Sequence, residues 1–171
     1  MSMPKCVFTV IVMMLCLTGA VRAAPDVDVP LVALDGASSS LAAQFNGEDW
    51  LLVMVWSTTC PICRAETPQI QALSERQAET GIRVIGIALE GQDKLAEIRR
   101  FGDELGVTYD NFTGVADDII GAYAAATGSP FRGTPTFLLY TPDGELVGDN
   151  PGPIRPGAVE RFIEKYNRTH S

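Results

Sequence analysis

The stretch WSTTCPICRAETP, residues 56–68, determines how the rest of this chain is organised. An apolar, β-prone segment over residues 50–56 leads into it, and residues 66–80 are predicted to form a helix after it. Two cysteines, Cys60 and Cys63, therefore lie where a strand gives way to a helix. The first turn of a helix offers unpaired N–H groups and a partial positive charge, and both favour thiolate over thiol. The stretch thus predicts a pair of reactive thiols.

The first 23 residues have the pattern of a secretory signal peptide. An almost unbroken apolar run over residues 7–17 is followed by small residues in the spacing of a cleavage site. We predict cleavage after Ala23 or Ala24, a single domain over residues 24–171, and export to the periplasm. The apolar run is short for a membrane span, so an uncleaved N-terminal membrane anchor is the less favoured alternative.

Charge and cysteine content narrow the class of protein. The 171 residues carry a formal net charge of −8, which argues against nucleic acid and anionic membrane surfaces as partners. Of the 4 cysteines, Cys6 and Cys16 leave with the signal peptide. The remaining two form a single C-x-x-C, which is not the disulfide framework of a small secreted protein. This pair is redox-active, metal-binding, or a static clip on the helix start.

A closed zinc site is excluded by the shortage of ligands. Zinc needs about four ligands, and the chain without its signal offers two cysteines and one histidine, His170, beside the C-terminus. We therefore predict no metal, and no cofactor other than a redox-active Cys60–Cys63 disulfide. Cys60, at the helix tip, is expected to attack a partner disulfide, and Cys63, one turn further in, to resolve the mixed disulfide. Pro61 between them is expected to tune the thiolate.

The order of apolar and amphipathic segments predicts the fold class. The pattern is βαβα, then a ββ hairpin with an Asp143-Gly144 turn, then a closing helix over residues 158–166. Residues 109–115 are expected to be irregular or a short strand. Strands separated by helices indicate a parallel sheet, and the hairpin adds antiparallel pairing. We expect a three-layer α/β/α domain with a mixed sheet.

Two further segments are candidates for the site. Thr134-Pro135 precedes an apolar strand, and a cis bond there would expose the backbone of Thr134 as a short edge for a substrate chain. A plain trans loop is the alternative. Glu66 lies three residues after Cys63 on the same helix face, so a buried carboxyl could pass protons to and from Cys63. An exposed helix residue is the alternative for Glu66. Trp56 is a candidate for the substrate site, although packing beneath the motif is its default role.

The motif W-x-x-x-C-x-x-C-x-x-E-x-P of residues 56–68, with Gly-Thr-Pro at residues 133–135, resembles the thioredoxin superfamily. More narrowly, it resembles the exported TlpA/ResA-like thiol-disulfide oxidoreductases, over nearly all of the chain after the signal. The resemblance implies a thioredoxin fold with an N-terminal β-hairpin extension and a central insertion. It also implies the site roles: Cys60 as nucleophile, Cys63 as resolving thiol, Glu66 as active-site acid, Thr134 and Pro135 as the cis-proline substrate edge.

The predicted function is that of a periplasmic disulfide reductase. Expected partners are disulfide-containing exported proteins, for example in cytochrome c or metalloprotein maturation, and a membrane thiol reductase that recycles the pair; a monomer is expected. Pro61 suggests a DsbA-like thiol oxidase as the alternative, although a full helical insert domain has no room between Cys63 and Pro135. A copper chaperone of the Sco type is a further alternative, but its C-x-x-x-C and downstream histidine are missing. Thr59 departs from the family pattern, in which tryptophan usually precedes the first cysteine.

Overall fold

The computed structural model describes residues 28–170, so the predicted signal peptide and the domain start at residue 24 lie outside it. The strands are β1 (Pro30–Ala33), β2 (Ser38–Ser40), β3 (Trp50–Trp56), β4 (Ile82–Ala88), β5 (Asp110–Thr113), β6 (Thr136–Tyr140) and β7 (Leu146–Pro151). The helices are α1 (Pro61–Glu75), α2 (Gln77–Thr80), α3 (Leu95–Leu105), α4 (Ala116–Thr127) and α5 (Ala158–His170), with 3-10 turns at Ala42–Gln44 and Gln92–Lys94. None of the helices in this range has the combined length and apolar character of a membrane span.

The strands form one mixed sheet in the order β2-β1-β5-β4-β3-β6-β7. β3 pairs in parallel with β4, and β4 pairs in parallel with β5, as strands joined by helices should. β6 pairs antiparallel with the other side of β3, and β7 returns antiparallel at the edge of the sheet. The predicted mixed sheet is confirmed, and β3, an interior strand, carries the motif at its carboxyl end.

The N-terminal hairpin and the central insertion are both present. β1 and β2 form an antiparallel hairpin, and β1 also pairs antiparallel with β5. β5 and α4 lie between α3 and β6, which is the position of the insertion. Residues 110–113, expected to be irregular or a short strand, are a strand because β1 and β4 flank them.

The sheet is covered by helices on both faces. Every residue of β3 is buried, and its side chains alternate between the faces. Leu52 and Met54 pack in a cluster with residues of α1, α3 and α5. Leu51 and Val53 pack on the opposite face with residues of α4. Burial of each such side chain contributes about 1.5–3 kcal/mol, and the predicted three layers follow from this two-sided burial.

Helix α1 differs in extent from the helix predicted over residues 66–80. It begins earlier, at Pro61, and ends at Glu75, where Arg76 leaves helical geometry before the short α2. α2 ends at Gly81, as expected, and Gly81 adopts the left-handed conformation (φ 65°) that glycine accepts without a Cβ clash. The inward face of α1 carries Cys63, Glu66, Thr67, Ile70, Gln71 and Leu73, all buried.

Candidate active site

A tight turn joins β3 to α1 and places Cys60 at the tip of the helix. The N–H of Cys60 donates to the carbonyl oxygen of Ser57 at 3.1 Å, which closes the turn. Cys60 is the N-cap residue of α1, and its Sγ accepts a hydrogen bond from the N–H of Cys63 at 3.0 Å. Pro61 fills the first helical position, where no N–H is needed. An N–H donor and the helix N-terminus therefore both face the sulfur of Cys60 and favour its thiolate when the pair is reduced.

Cys60 and Cys63 form a disulfide, with their Cα atoms 5.2 Å apart. Cys63 is completely buried (0% exposed), whereas Cys60 is partly exposed. Pro61 and Ile62 between them are exposed, and Ile62 shows 47% of its surface. A partner protein can therefore reach Cys60 and an apolar patch beside it, but not Cys63. This is the order of exposure expected from the positions of the two cysteines on the helix.

The Thr134-Pro135 segment lies directly beside Cys60. The Thr134–Pro135 peptide bond is cis, and the carbonyl oxygen of Thr134 lies 3.4 Å from Cys60 Sγ. The carbonyl oxygen of Pro135 accepts a hydrogen bond from the N–H of Gly152 at 2.8 Å, which ties the segment to the loop after β7. Thr134 is partly exposed and Pro135 is buried. Cys60 and Thr134, 74 positions apart along the chain, thus meet at one surface.

Glu66 is buried, with 9% of its surface exposed, so the exposed-helix alternative is wrong. Its Oε2 accepts hydrogen bonds from Gln69 Nε2 at 2.6 Å and from the N–H of Ile154 at 3.0 Å. The Gln69 amide also donates to the carbonyl oxygen of Ile154 at 3.1 Å. Glu66 therefore lies one helical turn from Cys63 and holds the loop before α5 against α1.

Trp56 supports the motif from within the core. Only 4% of it is exposed, so it offers a substrate little surface, and packing is its role in the fold. Its Nε1–H donates to Asn111 Oδ1 at 3.1 Å, and the Asn111 amide donates in turn to the carbonyl oxygen of Tyr109 at 2.9 Å. The Trp56 ring lies 4.6 Å from that of Phe101. Burial raises the pKa of Tyr109, which keeps this phenol neutral beneath the site.

Glu90 is a residue of the site region that no sequence pattern indicated. It lies just past β4, where the N–H of Leu89 donates to the carbonyl oxygen of Trp56 at 3.0 Å and continues the parallel pairing. Glu90 Oε1 accepts hydrogen bonds from Ser57 Oγ at 2.8 Å and from the N–H of Thr58 at 2.6 Å. The register of β3 against β4 is the signal that would have found it, because that register puts the residues after β4 beside the turn after β3.

Potential metal ligands do not gather anywhere in residues 28–170. No group of three or more His, Cys, Asp and Glu side chains in this range is placed to hold a metal ion. His170 stacks on Tyr166 in α5, with 4.0 Å between the ring centroids, and its Nδ1 lies 2.9 Å from the carbonyl oxygen of Tyr166. His170 therefore packs against its own helix.

Comparison with known proteins agrees with this geometry. The profile of the AhpC/TSA family matches residues 21–148. The thiol-disulfide oxidoreductase ResA of Halalkalibacterium halodurans is 28% identical over 138 residues, which cover 81% of this chain and 73% of ResA. The thiol:disulfide interchange protein DsbE of Tatumella citrea is 33% identical over 139 residues, which cover 78% of this chain and 68% of DsbE.

A solved structure shows the same fold. The thiol:disulfide interchange protein of the thioredoxin family from Chlorobium tepidum TLS superposes with a TM-score of 0.65 at 24% identity, over 84% of this chain and 97% of that one. The fold and the relatives together agree with the resemblance carried by the C-x-x-C motif. The chain therefore belongs to the AhpC/TSA family of thioredoxin-like proteins and is a thiol-disulfide oxidoreductase of the ResA/DsbE type.

Proposed function

We propose that this protein is a disulfide reductase of the periplasm, with Cys60 as its attacking thiol. The observation that carries the proposal is the unequal exposure of the pair: Cys60 is partly exposed at the helix N-terminus and Cys63 is fully buried. Since a thiolate must contact a partner sulfur in order to attack it, only Cys60 can begin the exchange in this geometry.

The reaction begins from the reduced pair. The Cys60 thiolate attacks one sulfur of a substrate disulfide, an S–S bond to Cys60 forms, and the other substrate sulfur leaves as a thiolate. Cys63 then loses its proton and attacks Cys60 Sγ, which releases the second substrate sulfur as a thiolate. Two electrons have passed to the substrate, both substrate sulfurs take up protons, and the Cys60–Cys63 disulfide remains. The structure has this oxidised form of the pair.

Thr134 and Pro135 are the substrate-binding residues of the proposal. A substrate segment that pairs with the backbone of Thr134 would bring its disulfide to Cys60, because the Thr134 carbonyl oxygen is 3.4 Å from that sulfur. Pro61, exposed beside Cys60, contributes contact surface. Trp56 contributes by supporting the turn from below.

Glu66 is the acid that serves Cys63 in the proposal. It is buried one helical turn beyond Cys63, and its hydrogen bonds run to Gln69 and Ile154. A proton moving between the Glu66 carboxyl and the Cys63 sulfur would therefore pass through a water or need a change of rotamer. This task requires the carboxyl group itself, since an amide cannot take up the proton.

Export supplies the setting in which such a reductase is needed. The signal-like segment over residues 1–23 supports secretion to the periplasm and a mature domain over residues 24–171. Exported proteins with disulfides are the proposed substrates, such as those of cytochrome c or metalloprotein maturation. A membrane thiol reductase would return two electrons to the pair. The protein acts as a monomer and needs no cofactor beyond the disulfide.

A trapping experiment tests the proposed roles. In Cys63→Ser the mixed disulfide cannot be resolved, so exported partners should remain covalently bound to Cys60 and be released by dithiothreitol. Cys60→Ser is the matched control, since it keeps one thiol but leaves only the buried one. Equal trapping by both variants, or trapping by Cys60→Ser alone, would show that Cys60 is not the attacking thiol.

The direction of electron flow needs a second measurement. Pro61 in the C-x-x-C favours the DsbA-like oxidase as the second candidate function. Equilibration of the pair with glutathione separates the two functions, because a potential of about −270 mV is that of a reductase and one of about −120 mV that of an oxidase. The mature protein should also reduce insulin when its pair is kept reduced.

A further inference from the structure

A single carboxylate oxygen accepts several hydrogen bonds from the turn that leads to Cys60. Glu90 Oε1 accepts from Ser57 Oγ at 2.8 Å, from the N–H of Thr58 at 2.6 Å and from Thr58 Oγ1 at 3.0 Å. Within the described residues, Glu90 Oε2 is buried and has no hydrogen-bond partner. All hydrogen bonds of this carboxylate thus point to the turn between β3 and α1.

The hydrogen-bond directions extend this attachment to Thr59. Ser57 Oγ donates to Glu90 Oε1, so its single hydroxyl proton is used in that bond. Ser57 Oγ must then accept from its own neighbours, and Thr59 Oγ1 lies 3.0 Å and Thr59 N 3.3 Å from it. A chain of donors therefore runs from Thr59 through Ser57 to Glu90. The hydroxyl of Thr59 is the outer end of this chain.

Glu97 offers a second acceptor to the hydroxyl of Thr58 in this turn. Its Oε1 lies 2.9 Å from Thr58 Oγ1, which carries one proton and can donate to only one carboxylate at a time. The N–H of Thr58 and the hydroxyl of Ser57 have no such choice in this geometry, because their bonds run to Glu90. Glu90 is therefore the principal anchor of the turn.

The turn that Glu90 holds also fixes the position of the Cys60 sulfur. Cys60 is the last residue of this turn. The hydrogen bond from the Cys60 N–H to the Ser57 carbonyl oxygen closes the turn. The sulfur lies 3.0 Å from the N of Cys63 and 3.4 Å from the Thr134 carbonyl oxygen. Cys60 joins this turn to α1, so a shift of the turn would move the sulfur relative to both partners.

We propose that Glu90 is a positioning residue for the redox pair: it holds the Ser57–Thr59 turn so that the Cys60 sulfur faces the helix N-terminus and the Thr134 edge. This inference rests on the proposed role of Cys60 as the attacking thiol. Glu90 itself does not contact the reacting sulfur. Its effect is therefore expected in the reactivity of Cys60 rather than in the chemistry of a substrate.

The test is the pH profile of Cys60 alkylation by iodoacetamide, measured on the mature chain in the Cys63→Ser background. Glu90→Ala removes the acceptor of all three hydrogen bonds, and we expect its pH midpoint to rise by about half a unit or more, with alkylation at pH 6 slowed about three-fold or more. Glu90→Gln keeps an acceptor oxygen in place and should stay within about two-fold of the parent. Asp93→Asn, an exposed change in the 3-10 turn after Glu90, is the matched control for a lost negative charge.

Three outcomes would overturn the inference. They are an unchanged profile for folded Glu90→Ala, a Glu90→Gln variant as impaired as Glu90→Ala, and an equal shift in Asp93→Asn. If Glu90→Ala does not fold, Ser57→Ala breaks the chain while keeping Glu90, and an unshifted profile there overturns the inference as well. Alkylation needs neither a substrate protein nor a direction of electron flow. Failure of the wild-type protein to reduce insulin would therefore count against the proposed reductase and leave the Glu90 result to be judged separately.

Discussion

Even alanine at position 86 should lower the stability of the protein, because Gly86 lies under the hydrogen bond that holds Trp56. It sits within β4, paired with Met54 on one side and Asn111 on the other. A Cβ at this position would collide with Asn111 Oδ1 and lie 2.8 Å from Trp56 Nε1. These are the two atoms that form the 3.1 Å hydrogen bond beneath the motif.

The expected cost of Gly86→Ala has two parts. Forcing a methyl group into a packed interior costs about 1–3 kcal/mol. If Asn111 swings away to make room, the buried indole N–H of Trp56 loses its partner, which costs about 1–3 kcal/mol. We expect the free energy of unfolding to fall by about 2–6 kcal/mol, since both parts act together.

Urea denaturation of the oxidised protein, followed by tryptophan fluorescence, measures this cost. Gly121→Ala is the matched control: Gly121 is exposed within α4, and a Cβ there meets nothing within 4 Å. That variant should gain about 0.5–1 kcal/mol, because glycine weakens a helix interior. In the Asn111→Ala background, Gly86→Ala should cost at least about 1 kcal/mol less than in the wild type. A Gly86→Ala protein as stable as the wild type would refute the reasoning.

Two further predictions concern a buried phenol and the buried acid. Burial raises the pKa of Tyr140 to about 12. Unfolding therefore releases a proton from Tyr140 above about pH 10. The stability that depends on this group is fully present below about pH 10 and is lost as the pH rises towards 12. Wild type should lose about 1 kcal/mol more than Tyr140→Phe between pH 8 and pH 11 in urea titrations; parallel losses would contradict this. Glu66→Gln keeps an acceptor for the Ile154 N–H but cannot carry a proton, so insulin reduction should slow at least about ten-fold with an unchanged circular dichroism spectrum. An unchanged rate would remove Glu66 from the mechanism.

Local signals were sufficient for the elements that build the site. The continuous apolar run of residues 50–56 coincides with β3, and Gly81 ends α2 as its preference for left-handed geometry predicts. The motif also located the two cysteines at the strand-to-helix junction. These features depend on residues close in sequence, where periodicity and capping preferences act directly.

Strands held by distant partners were harder to predict. β2 consists of Ser38–Ser40, a run without strand propensity that pairs with β1. β5, with the sequence DNFT, lies between β1 and β4 in the sheet and takes its extended form from both. Pairing of this kind is a tertiary effect that can outweigh local preference.

The same distinction applies to the site. Cys60 caps α1, and the spacing of Cys63 and Glu66 within this helix showed their common face. Glu90 reaches the motif from the segment after β4 and Asn111 from β5, and no spacing relates them to it. Only the register of the parallel strands brings them there, and register is a property of the assembled sheet.

The loop that follows β7 limits where this protein can tolerate inserted residues. Gly152 holds Pro135, and Ile154, nearby in the same loop, holds Glu66. An insertion in this loop would shift the substrate edge and the acid out of place together. The turn at the other end of the hairpin, closed by the bond from the Gly144 N–H to the Thr141 carbonyl oxygen, is about 15 Å away along β6. New sequence, such as a tag or a tether, is therefore best introduced at the Thr141–Gly144 turn.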